Sequence, residues 1–127
     1  RQLDGTQIKS GFCSSQIMGQ IPSTEHMTTS FILSPENGEV LKAHKNFIVE
    51  VKINHLKTGH FSNPEKEYYL LPQTLDNGII EGHSHIVIQP LRSEDDAPDA
   101  RDFVAFEGLN SVANKGTFKQ EFKGLPA

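Results

Sequence analysis

Gly82-His83-Ser84-His85 holds the one spacing in this sequence at which paired side chains suggest chemistry. On a strand, residues two apart project from the same face with Cα atoms about 6.5–7 Å apart. Two imidazoles placed so, His83 and His85, can close on one divalent transition metal, and zinc and copper both favour imidazole nitrogen. A third ligand must come from elsewhere. His60 is the first choice, because Thr58-Gly59-His60 reads as a loop after a strand, where functional residues concentrate. His55 and then Glu81 follow. Gly82 would let the backbone bend to aim the rings, and Ser84 would point to the opposite face. The plainer alternative is a pair of hydrogen-bonded strand histidines with no ligand, since such coincidences are common in a chain with six His. His55 has its own plain alternative as a capping residue at a strand end. His26 and His44 lie beside turn-like, charged sequence and are read as solvated.

Tyr68-Tyr69 is the second polar-aromatic feature. With His83 or His85 and Glu81 it would make a Tyr/His proton-transfer set of the kind used in polysaccharide cleavage. Equally, the two rings would serve as a platform on which sugars stack. The alternative is a strand with one tyrosine inward and one outward. Nucleophilic catalysis has little support: there is no Gly-x-Ser-x-Gly elbow, and Cys13 lacks flanking charge to lower its pKa. Phosphate-cradling glycine loops are missing as well.

The elements that must position these residues read as β-strands. Phe47–Leu56 is the clearest, with Phe47, Val49, Val51 and Ile53 alternating with Ile48, Glu50, Lys52 and Asn54. Thr28–Leu33 precedes a Pro35-Glu36-Asn37-Gly38 turn. Tyr68–Leu71 is a third strand candidate, closed by Pro72, and Asp76-Asn77-Gly78 makes a turn before Ile79-Ile80. His83–Leu91 is apolar on both faces around Ile86, Val87 and Ile88, which predicts a strand internal to the fold. Phe103–Phe106 and Thr117–Phe122 complete the set. About seven short strands with turn signals between them predict an all-β fold, an antiparallel β-sandwich of Ig-like or jelly-roll-like type. Residues 1–25 have weak patterning and are expected to run irregularly. Arg92–Arg101 is a charged loop whose acids do not match the spacing of a calcium loop, and it is read as solvated.

The chain of 127 residues has the length of one domain, 1–127, able to bury a core. Hydrophobic residues make up 35% and Trp is absent, so the eight Phe must carry much of the packing. A net charge of −4 argues against a nucleic-acid partner, because phosphate recognition needs a basic patch. No apolar run approaches the roughly 18–20 residues that span a bilayer, so no membrane span is expected. The start at Arg1 suggests a processed product. Cys13 is the single cysteine, read either as a small buried hydrophobe or, in a secreted protein, as a thiol whose partner lies outside these residues.

From Phe47 to Leu125 the chain resembles a family of small secreted fungal proteins with no established activity. The matching stretches are Phe47–Ile53, Thr58-Gly59-His60-Phe61, Tyr68–Leu75, Gly82–Gln89, Phe103–Asn110 and Gly124-Leu125-Pro126-Ala127, with the Gly-His-Ser-His strand the most distinctive. The resemblance implies an extracellular β-sandwich. It also implies that family chains run on past Gly-Leu-Pro-Ala, so that a C-terminal companion chain is expected, separate or lost. A comparison with the cupins fails: Gln89 stands where their acid would be, and no histidine follows His85. Three functional expectations stand at this level. They are zinc or copper binding through His83, His85 and His60, cell-wall carbohydrate binding through Tyr68, Tyr69 and Glu81, and polysaccharide cleavage.

Overall fold

The structure, a computed structural model, describes residues 4–127. They form eight strands and one short 3-10 turn, Thr24–His26, with no α-helix among the described residues. In chain order the strands are β1 (Thr29–Ser34), β2 (Phe47–Asn54), β3 (Leu56–Lys57), β4 (Leu75–Asp76), β5 (Ile79–Glu81), β6 (Ser84–Ile88), β7 (Ala105–Leu109) and β8 (Thr117–Phe122). The fold is all-β and sandwich-like. Among the described residues no helix is long and apolar enough to cross a membrane.

The described residues group into two compact units. The first takes in the chain up to Thr28, with His55–His83 and Asn110–Val112. The second comprises Thr29–Asn54, Ser84–Leu109 and Ala113–Ala127.

The second unit is built on β2. Its alternation buries Val49, Val51 and Ile53 and leaves Glu50, Lys52 and Asn54 less covered, as a half-buried strand requires. It is the centre of an antiparallel sheet in the order β1-β2-β8, with Val51 opposite Phe118 and Phe47 opposite Phe122. The last pair stacks, ring centroids 5.7 Å apart. A bulge between Ile32 and Ser34 shifts the β1 register. A separate antiparallel pair, β6-β7, completes the unit and contributes buried Leu109. Each of the six buried hydrophobic side chains among the described residues lies in this unit.

The first unit holds a three-stranded sheet in the order β3-β5-β4. Contrary to an all-antiparallel expectation, β3 and β5 run parallel, with Leu56 opposite Ile80 and Lys57 opposite Glu81. The N-terminal segment expected to be irregular is so as far as it is described, apart from a bridge between Gly19 and Gln73 and the 3-10 turn. Residues 1–3 of it lie outside the described residues.

Four expectations need correction. The strand starting at Phe47 stops at Asn54 rather than running to Leu56, because His55 takes a left-handed φ of 55°. Its ring Nδ1 donates to the Met27 carbonyl at 2.9 Å. Tyr68–Leu71 is a turn, not a strand, with Tyr69 at φ 57° and Leu70 N–H donating to the Glu67 carbonyl. Asn63 starts that turn: its side chain accepts from the Glu65 N–H at 2.9 Å and Glu67 reaches back to the Asn63 N–H at 3.0 Å. This reciprocal arrangement belongs to helix starts, and β-propensity of the tyrosines does not override it. β6 belongs to a two-stranded sheet rather than the interior, and Val87 is 46% exposed. Finally, His26 is half-buried rather than solvated, its ring 5.8 Å from that of His55.

Candidate functional site

The parallel pairing of β3 and β5 places side chains far apart in sequence next to one another. Lys57 at the end of β3 stands beside Glu81 at the end of β5, and its ammonium donates to Asp76 of β4 and lies 3.9 Å from Glu81. The hydrogen bond to Asp76, with the charges of Asp76 and Glu81 behind it, raises the Lys57 pKa above its ordinary value against some desolvation. Beyond Lys57 the chain turns back on β5. Gly82 N–H donates to the Lys57 carbonyl at 3.0 Å, and His60 N–H to the Gly82 carbonyl at 3.3 Å. Gly59, at φ 89°, makes the bend against Val112.

That return sets His60 over the end of β5, with Nε2 3.4 Å from a Glu81 carboxylate oxygen. Glu81 also accepts from the Thr74 hydroxyl at 3.4 Å. His83 lies on the same side: its Nδ1 is 3.0 Å from the His60 carbonyl. A carbonyl oxygen only accepts, so Nδ1 carries a proton. Phe61 meets the His83 ring edge-on at 6.4 Å.

These groups line an open groove of about 730 Å³ in the first unit, shared by His60, Phe61, Glu81, His83, Tyr69 and Gln73. Phe61 and Tyr69 are 60% and 62% exposed on this lining. Tyr68 sits behind Tyr69, half-buried, with ring centroids 4.8 Å apart, and Phe12 braces both tyrosines from the side.

Of the six residues singled out from sequence, the structure gathers His60, Glu81, His83 and Tyr69 on one groove, with Tyr68 as support. His85 is not among them. β6 begins at Ser84, so His83 closes a segment of the first unit while His85 belongs to the second. There His85 occupies the exposed face of β6 with Val87, against Phe106 at 4.9 Å. Gly82 has an ordinary φ and room for a Cβ, so no special bend aims the rings. Among the described residues no group of three or more His, Cys, Asp or Glu side chains is placed to hold a metal ion. In the charged loop Arg101 grips Asp99 through two bonds at 2.8 and 3.1 Å, and Arg92 meets Asp102 just beyond it at 3.0 Å. Cys13 is exposed rather than buried. Sequence reasoning missed Phe61 and Thr74. The signal for Phe61 was its position next to His60 in a loop; Thr74 reaches the site only through tertiary pairing.

Comparison with known proteins supplies kinship. The model of the CLU5d N-terminal domain matches residues 30–127. A curated protein of Colletotrichum graminicola, "Pathogenicity cluster 5 protein d", is 35% identical over 130 aligned positions covering 98% of this chain. The chain spans 27% of that relative's length. No solved structure matches the chain. With the family model covering most of its length, the chain belongs to the fungal family of the CLU5d N-terminal domain.

Proposed function

We propose that the first unit is a carbohydrate-binding module of a secreted fungal protein, taking a cell-wall polysaccharide along the groove between Phe61 and Tyr69. One observation carries the reading: two exposed aromatic rings line the same groove as a His60–Glu81 pair, His83 and Gln73. Sugar rings present apolar C–H faces and hydroxyl edges. Exposed aromatic surface takes the faces, and a few fixed donors and acceptors take the edges. Glu81 accepts hydrogen bonds from sugar hydroxyls.

Retention of the whole chain on insoluble chitin, β-glucan and cellulose tests the reading. Depletion from solution by one of them is expected, with Phe61→Ala and Tyr69→Ala each weakening it about fivefold or more, as truncation of a binding hot spot does. His85→Ala should leave retention unchanged. No retention on any of the three, or retention indifferent to both ring deletions in folded protein, sinks it.

Zinc or copper binding by His60 and His83 with Glu81 is the competing reading. It would require His60 to leave the carboxylate oxygen 3.4 Å away. Calorimetric titration with each metal separates the two, since the carbohydrate reading expects retention unaffected by a chelator. Polysaccharide cleavage would announce itself as unsaturated sugar ends, which a binding module does not release.

A further inference from the structure

The second unit carries a larger groove, of about 1160 Å³, that the sugar reading does not use. Its lining takes in Phe31, Ile32 and Leu33 of β1, Phe47 and Val49 of β2, and Ile86 and Ile88 of β6. Leu33 and Leu41, 42% and 40% exposed, extend the apolar lining. Its cations are Lys42 and Lys45, both exposed, and neither has an ion pair among the described residues. One carboxylate, Glu36, also lies on the lining. A groove with two cations to one acid stands out in a chain of net charge −4.

The wall beside the lysines is pinned. His44 N–H donates to the Leu125 carbonyl at 2.8 Å, and Gly124 N–H donates to Asn46 Oδ1 at 3.1 Å. Gly124 packs so closely on the backbone of His44 and Lys45 that a methyl group there would collide with it. The lysine loop is thereby held against Leu125 and Pro126, which line the groove as well.

We propose that this groove binds a long-chain fatty acid, its hydrocarbon along the apolar lining and its carboxylate at the Lys42–Lys45 loop. The charge complementarity of two unpaired ammonium groups at the edge of an apolar lining picks an amphiphilic monoanion over a neutral hydrocarbon.

Calorimetric titration of the whole chain with saturated fatty acids from octanoate to palmitate, and with the matching alcohols, tests the site. One-to-one binding is expected, tightening about fourfold per added methylene until the groove is filled. Alcohols should bind at least several-fold more weakly than acids of equal length. The Lys42→Glu/Lys45→Glu double variant should weaken acid binding about tenfold or more and leave alcohol binding nearly unchanged, with unaltered thermal melting. Leu41→Asp, on an exposed loop position, should weaken both. Absence of binding, equal affinity for acid and alcohol, or indifference to the lysine variant overturns the proposal. So does a concentration-dependent dimer that Leu41→Asp dissociates, which would make a second copy the occupant. Polysaccharide retention is read separately, so failure here leaves the sugar reading standing, and the converse.

Discussion

At the scale of single residues, Lys57 and Tyr69 have the most to say. The pKa of Lys57 is raised chiefly by its hydrogen bond to Asp76, so the folded sheet holds that proton more tightly than an unfolded chain does. The resulting stabilisation is complete below the ordinary lysine range and disappears as pH climbs through the raised value. Melting curves of the parent and Lys57→Met should therefore differ at neutral pH and converge in strong alkali. Asp99 runs the other way: Arg101 lowers its pKa, and that contribution fades as acid protonates the carboxyl. Both pairs are exposed, so both effects are small and salt-sensitive. Tyr69 holds a left-handed backbone, which costs an L-residue about 1–2 kcal/mol. Strain at a ring that lines a groove is where function and stability part company.

Among the elements, β2 and β8 were legible in advance because burial on one face imposes a period of two. Phe122→Ala removes the ring stacked on Phe47 and should cost about 3–5 kcal/mol in chemical denaturation, enough to unfold the second unit if its stability is marginal. Tyr68–Leu71 was not legible as a turn, because aromatic residues favour strands only where a sheet receives them, and here the Asn63–Glu67 bonds direct the chain first. Four residues of the groove were chosen from sequence on their chemical type, but what brings them together was hidden. The parallel contact of β3 with β5 joins segments more than twenty positions apart, and no local pattern announces it. His83 lines the groove of the first unit, and His85 stands on the exposed face of β6 in the second.

For the whole molecule, the distribution of buried side chains is uneven. Among the described residues, the six buried hydrophobic ones belong to the second unit, and the first is held by half-buried contacts, exposed hydrogen bonds and ion pairs. Regions so built open locally at low free energy. Amide hydrogen exchange should accordingly be fast at residues 56–82 and slow along β2 and β8. Occupancy changes that balance. A ligand present at a hundred times its dissociation constant adds about 2.7 kcal/mol to whatever it binds. A polysaccharide fragment seated on Phe61 and Tyr69 would thus act as borrowed ballast, slowing deuterium uptake in the thinly packed part of the chain and leaving the densely packed part as it was.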